Sequence, residues 1–398
     1  MSFPVKYGIY SEIETKDVIF QFNLNNEIIK AQGKDKTWIH PLEWLKRTMG
    51  NDWIYYSSGG YTGVVETIGE YYLPNLQYPT NSLLGGKPFK TESVDRIVSS
   101  WHEILQAIPG PGNGLNGKFK IFMDNIRKIS PGILKTKAEN LFSTPEESVT
   151  VLPPDARHVD YDVIPLNIST GCLYKCKFCR VKTGNDFKEK KKADIKKDIS
   201  RLKKLYDKDI INYNSLFLGQ HDALNADMEL ILFAAKEAYS AFGFENSYIK
   251  GSSLFLFGSV DSLLNADHTL FAKLNQLNFQ TYINIGLESA DQKTLDFIGK
   301  PITTARVKQA FKTILHINSQ YDNIEITSNF LMADNLPKGH YPAFLKLARK
   351  SVAKVQTKGC IYLSPLSINR PSREEIFKFN RLKILSRFPT FLYIIQRL

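Results

Sequence analysis

Cysteine is scarce in this chain, with four in 398 residues, and that sparsity excludes the disulfide framework of a small secreted scaffold. Long apolar runs are missing too, so no segment reaches the length needed to cross a bilayer. Met1-Ser2-Phe3-Pro4-Val5-Lys6-Tyr7 lacks the apolar core of a secretion signal. The expectation is a cytoplasmic protein without a membrane span. Acidic residues are in deficit, 40 against 52 Lys and Arg, which leaves a net charge of +12. Such a surplus suits nucleic acid, a phosphorylated substrate or an acidic partner, and a basic solvated surface explains it as well. With 43% hydrophobic residues the chain can bury a large core, which excludes general disorder and fits two domains or one domain with an extension.

The first 150 residues show short runs such as Val18-Ile19-Phe20-Gln21-Phe22-Asn23-Leu24, broken by Ser58-Gly59-Gly60 and by the Gly-rich stretch from Pro109 to Lys118. They read as a mixed α/β region of unknown role. Thr144-Pro145 and Pro153-Pro154 place a boundary near residue 150. Beyond it, apolar strand-like runs alternate with amphipathic segments, the rhythm of parallel strands joined by crossover helices. Candidate strands are Val163–Asn167, Ser215–Leu218, Ser253–Phe257, Thr281–Ile285, Ile324–Asn329 and Ile361–Leu363, with helices expected over 191–206, 227–241, 268–276, 291–298, 304–317 and 341–354. The reading is an α/β protein whose residues 151–370 form about six β/α units, a partial TIM-like barrel. Residues 371–398 are expected to be a helical segment packed on it. In such folds chemistry gathers at the carboxyl ends of the strands.

Three of the four cysteines fall in Gly171-Cys172-Leu173-Tyr174-Lys175-Cys176-Lys177-Phe178-Cys179, directly after the first expected barrel strand, while Cys360 stands alone. Three thiolates at this spacing on a short loop suit three corners of one iron–sulfur cube, which ordinarily takes four. The fourth iron is then open to an exogenous amine and carboxylate. The competing reading is a structural zinc site completed by Cys360 or a histidine. A second C-x2-C pair would favour zinc, and the sequence has none. Cys360 sits in an apolar run, where a lone cysteine is ordinarily a small buried hydrophobe.

The loop resembles the CxxxCxxC signature of the radical S-adenosylmethionine (radical SAM) superfamily, including the aromatic Phe178 before the last cysteine. The likeness runs over about residues 160–370. Phe217-Leu218-Gly219-Gln220-His221-Asp222-Ala223-Leu224 resembles the segment that receives the methionine amino group. Phe257-Gly258-Ser259-Val260-Asp261 resembles one whose serine lies near the cofactor, and Gly286-Leu287-Glu288-Ser289-Ala290-Asp291 resembles a GLESG segment followed by the Gly299-Lys300-Pro301-Ile302-Thr303 landmark. The resemblance is to the branch with coproporphyrinogen-oxidase-like and elongator-like members. It implies a [4Fe-4S] cluster on Cys172, Cys176 and Cys179, and S-adenosylmethionine held near Phe178, Gly219, Asp222, Ser259, Glu288 and Ser289. It also implies reductive cleavage to a 5′-deoxyadenosyl radical, an unidentified organic substrate, and an electron donor such as flavodoxin or ferredoxin. Ser259 and Ser289 are equally read as helix caps. His221 is read either as a proton donor or as a polar neighbour.

Three further patterns have simpler readings. Gly112-Asn113-Gly114-Leu115-Asn116-Gly117-Lys118 begins like a phosphate-binding loop, but Phe119 occupies the position where Ser or Thr would hold magnesium. The basic run Lys188-Glu189-Lys190-Lys191-Lys192 could touch a phosphate backbone, yet mixed with acids it reads as a solvated helix face. Leu382–Leu398 mixes arginines with aromatics in a way that suits a membrane surface, and reads more simply as a packed final helix. A noncatalytic, metal-stabilised nucleic-acid-binding protein is the alternative function on these patterns, with nucleic acid possible and not favoured.

Overall fold

The structure is a computed structural model of the full chain. It describes residues 8–38, 41, 43–57, 72–73, 92–109, 117–144, 149, 151–179, 186–366, 373–393 and 398. Ser58-Gly59-Gly60 and most of the Gly-rich stretch after Pro109 lie outside these described residues.

Seven parallel strands make the main sheet: β7 (Ile164–Pro165), β10 (Ser215–Phe217), β11 (Ser253–Gly258), β12 (Gln280–Glu288), β13 (Ile324–Met332), β14 (Ile361–Pro365) and β15 (Thr390–Leu392). Their order is β15-β14-β13-β12-β11-β10-β7, with every neighbouring pair parallel. The six strands expected from the sequence are all present. Between them run α4 (Lys192–Tyr206), α5 (Met228–Phe242), α6 (Val260–Asn265), α7 (Leu270–Asn275), α8 (Gln292–Phe297), α9 (Thr304–Gln320) and α10 (His340–Leu345). The strands are short and apolar because helices cover one face while the other looks into the interior. In β13, Ile326 and Phe330 are fully buried and Phe330 meets Phe344 of α10 edge to face at 5.1 Å. The alternate residues Thr327 and Asn329 turn inward and bond to Asn284 of β12.

The carboxyl-terminal segment differs from expectation. It holds the helix α11 (Arg373–Leu385) and then the seventh strand, β15, where a wholly helical segment was expected. The strand forms because Tyr362 and Leu363 of β14 present an open edge that Phe391 and Leu392 complete.

The first residues form a six-stranded antiparallel sheet, β1 (Ser11–Glu14), β2 (Val18–Phe22), β3 (Ile28–Gly33), β4 (Glu43–Arg47), β5 (Trp53–Ser57) and β6 (Tyr72–Leu73), paired in chain order. The helices α1 (Glu92–Ala107), α2 (Gly117–Lys128) and α3 (Pro131–Ser143) follow. This region docks at the amino ends of the parallel strands: Lys46 Nζ meets Asp162 at 2.9 Å just before β7, and Asn23 donates to Asp209 at 3.1 Å just before β10. One continuous apolar cluster, from Ile13 to Leu398, joins the two parts.

The same end of the interior is filled by a 3-10 turn, Pro154–Val159. Asp155 accepts from Thr327 and from Tyr362, both at 2.7 Å, while the His158 ring stacks on Tyr282 and the Arg157 guanidinium covers Phe391 at 3.9 Å. Burial outweighs these hydrogen bonds and raises the Asp155 carboxyl to about 6. The folded state therefore holds this proton more tightly than the unfolded state. The contribution of Asp155 to stability is greatest below the unfolded value of 3.8 and falls as pH rises from there to about 6. Asp155→Asn keeps an acceptor for Tyr362, so above that window it should be more stable than the native chain by about 3 kcal/mol in urea titrations. The two unfolding curves should converge at low pH, and a constant difference across the range would refute the assignment.

Candidate metal and cofactor site

The cysteine loop leaves the sheet through β8 (Ser169–Thr170) and returns through β9 (Lys188–Glu189), and these two strands pair antiparallel to close its base. Gly171, with φ of 71°, makes the turn out of β8. Two further ties hold the loop across the carboxyl ends of the strands. The Tyr174 hydroxyl accepts the Asp261 N–H at 3.1 Å, and the Lys177 N–H donates to the Ile298 carbonyl at 3.1 Å. Phe178 enters an apolar cluster with Ile298, Leu331, Ala333 and Leu336. The loop is thus fixed at both ends and in the middle.

Beneath it is a cavity of about 260 Å3 whose walls include Cys172, Cys176, Cys179 and Phe178 from the loop. Gln220, His221 and Asp222 follow β10, Phe257, Gly258 and Ser259 close β11, and Gly286 and Glu288 end β12; all reach the same cavity, with Asn329, Leu331, Ser364 and Tyr393 opposite. Burial pushes the Cys172 thiol up to about 11 and also raises Cys176, with Lys300 acting in the opposite sense on both. A metal that takes these thiols as thiolates displaces their protons.

Cys360 has no part in this arrangement. It precedes β14 at the amino end of the sheet, whereas Ser364 and Pro365 at the other end of that strand line the cavity. About 13 Å of extended chain separates the two ends. Cys360 is buried against Tyr362 and Tyr393, with Arg157 near its sulfur at 3.9 Å. Among the described residues no group of three His, Cys, Asp or Glu side chains is gathered closely enough to hold a single metal ion. Three soft thiolates in one cavity wall, with no fourth cysteine beside them, are a donor set that fits an iron–sulfur cube.

Asp222 is buried and its Oδ1 accepts the Ser259 N–H at 2.8 Å, while Oδ2 has no hydrogen-bond partner. Burial raises its pKa, opposed by the neighbouring Ser262 and Ser259 groups and by Lys300. An unused buried acceptor is costly unless a donor arrives. Glu288 sits at an irregularity in the β12–β13 register, between Gly286 and Glu288, with φ of 64°. A non-glycine residue in that region is strained, and the local distortion turns its carboxylate into the cavity. There it lies 3.7 Å from Lys300 Nζ, and burial raises its pKa against that cation.

Of the residues expected from sequence, Phe178, Asp222, Ser259 and Glu288 come together with the three cysteines, and two do not. Ser289 is fully buried away from the cavity. His340 Nε2 faces the Leu331 carbonyl at 2.8 Å, which can only accept, so Nε2 carries the proton and Nδ1 accepts from the Ser289 hydroxyl at 2.8 Å. The Ser289 oxygen also accepts the Asp291 N–H, so it is committed inside the protein. Helix α8 is capped by Asp291, not by Ser289. Gly219 stands outside the cavity wall; its φ of 144° and the nearby Asn167 side chain account for it as a backbone turn. Ser259 lines the cavity, but its hydroxyl is engaged in a reciprocal capping box with Ser262 at the start of α6. Its contribution is the N–H that holds Asp222. Sequence reasoning missed Tyr174, Lys300, Asn329 and Tyr393, although Tyr174 and Lys300 stood inside the quoted motifs.

Residues 166–334 match the family model described as Radical SAM superfamily, while no curated protein matches the chain. Similar solved structures include the apo, selenomethionine-labelled cobalamin-dependent S-adenosylmethionine radical enzyme OxsB. That likeness has 15% identity and a TM-score of 0.34, and covers 47% of this chain and 26% of that one. A radical SAM methyltransferase from Sphaerobacter thermophilus is similar at 12% identity and a TM-score of 0.40, covering 58% and 66%. Methylornithine synthase (PylB) is similar at 9% identity and a TM-score of 0.37, covering 66% and 71%. The chain thus spans about a quarter of the length of OxsB.

Replacing Cys172, Cys176 or Cys179 with alanine should strip iron and sulfide from anaerobically reconstituted protein, leaving less than about a tenth of the native content. Cys360→Ala should retain both. Iron analysis showing full loading of the first three variants, or selective loss in the fourth, would overturn the ligand assignment.

Proposed function

We propose that this chain, whose residues 166–334 match the Radical SAM superfamily model, is an enzyme that cleaves S-adenosylmethionine reductively and uses the resulting radical on an organic substrate. The reading is carried by one observation: Cys172, Cys176 and Cys179 share a cavity with the buried carboxylates of Asp222 and Glu288, and no fourth cysteine is in its wall. When bound, a [4Fe-4S] cluster supplies the electron that splits the sulfonium into methionine and a 5′-deoxyadenosyl radical, which takes a hydrogen atom from substrate.

The chain's own residues supply binding and enclosure. Cys172, Cys176 and Cys179 are the thiolate ligands. Asp222 Oδ2 is a free, buried acceptor for the cofactor's amino group, held in place by the Ser259 N–H. Glu288 presents a second acceptor from the carboxyl end of β12, for the same amino group or for the ribose. Phe178, Phe257, Leu331 and Tyr393 give the cavity apolar walls that keep water from a reactive radical. Gln220, His221, Asn329 and Ser364 bring polar side chains to the wall of the cavity in which the substrate would sit. A one-electron donor of the flavodoxin or ferredoxin kind completes the requirements. No helix among the described residues is long and apolar enough to cross a membrane.

Reconstituted protein given dithionite and S-adenosylmethionine should release 5′-deoxyadenosine, seen by liquid chromatography. Protein that holds its cluster yet yields none, with or without candidate substrates, would contradict the reading. Asp222→Ala, which removes a charge-assisted hydrogen bond, should weaken S-adenosylmethionine binding by roughly 10- to 100-fold in equilibrium titration with iron content unchanged. Unaltered affinity would remove Asp222 from the cofactor site.

A further inference from the structure

We propose that Lys300 is a positioning residue for the redox step, the buried cation that sets the reduction potential of the cluster on Cys172, Cys176 and Cys179. This rests on the cluster assignment above and adds to it a residue outside the ligand set. The turn that carries Lys300 is built against the cysteine loop. The Ile298 carbonyl receives the Lys177 N–H, and Gly299, at φ of 65°, lies so close to the Lys177 chain that a Cβ there would stand 2.6 Å from Lys177 Cγ. Loop and turn are therefore held in one register, and the residue after Gly299 is delivered into the cavity beside the thiols.

The side chain is placed accordingly. Lys300 is only 6% exposed and lines the same cavity as the three cysteines. Its ammonium stands 5.2 Å from the centre of the Tyr174 ring, within the loop, and 3.7 Å from Glu288 Oε1. A buried ammonium is costly, and a carboxylate at 3.7 Å offsets it without the closeness of a tight pair. The turn that ties Ile298 to Lys177 brings this charge into the cavity whose wall also carries Cys172, Cys176 and Cys179. Reduction adds one negative charge to the cluster. A fixed positive charge nearby, poorly screened because it is buried, stabilises the reduced state, and a neighbouring carboxylate does the reverse. Lys300 and Glu288 thus oppose each other, and their balance sets how readily the cluster takes an electron before any cofactor binds.

The test is a potentiometric titration followed by electron paramagnetic resonance on the full reconstituted chain, at mildly alkaline pH and without S-adenosylmethionine. Lys300→Met should move the midpoint to more negative potential, lowering the reduced-to-oxidised ratio at the native midpoint about tenfold. Lys300→Arg should restore it, and Glu288→Gln should move it the opposite way. A purely structural role would shift Lys300→Met and Glu288→Gln alike, or neither, at full iron and sulfide content, and either result overturns the inference. If Lys300→Met loses its cluster, the direction of the Glu288→Gln shift decides: positive supports the charge balance, and no shift or a negative one refutes it. A native chain that takes up no four-iron cluster overturns the proposed function itself, and is told apart by iron and sulfide analysis.

Discussion

The hydrogen bond from the Lys177 N–H to the Ile298 carbonyl, acting with the β8–β9 pairing, confines three thiols to one wall of one cavity. The remainder of the site depends on that confinement. A loop closed at its base alone would leave Cys176 free to swing. The added tie, and Phe178 seated in the cluster with Ile298 and Leu331, fix the loop over the strand ends, where Asp222 and Glu288 already point inward. The eight residues from Cys172 to Cys179 are too few to supply a core of their own, so their order comes from the sheet beneath them.

The interior divides along the strand axis. At the amino end, Asp155, Thr327 and Tyr362 form a closed hydrogen-bonded plug, covered by the antiparallel sheet of the first residues. In the middle, Asn284 and Asn329 satisfy each other. At the carboxyl end the pattern reverses: Asp222 Oδ2 has no partner, and Glu288 is held in a strained conformation. An unused acceptor that lines the cavity shows where a ligand's donor is needed.

Much of this was legible in the sequence, and the exceptions have physical causes. The six barrel strands could be read because each is an apolar run bounded by polar helix starts, such as Ser253–Gly258 ahead of the Ser259 cap. The seventh could not, since Thr390–Leu392 is three residues long and becomes a strand only through the edge of β14. The cysteines announced themselves by spacing. Ser289 did not reveal that its hydroxyl is bound to His340, 51 residues away, because no local pattern encodes that meeting. Lys300 was visible as part of a motif, but its direction comes from the positive φ of Gly299 and the turn's seat on Lys177. Glu288 was expected to face the cofactor, and the register irregularity that aims it is a property of the paired strands, not of its neighbours in sequence.

The central claim is that three thiols leave one iron open for the sulfonium cofactor. It is tested most directly by recording the electron paramagnetic resonance spectrum of the reduced cluster before and after S-adenosylmethionine is added. The account predicts a changed spectrum at stoichiometric cofactor, as the open iron gains new ligands. A spectrum that stays the same at saturating cofactor would mean that iron is closed by a protein side chain, with His221 in the cavity wall the first to examine, and would contradict the account.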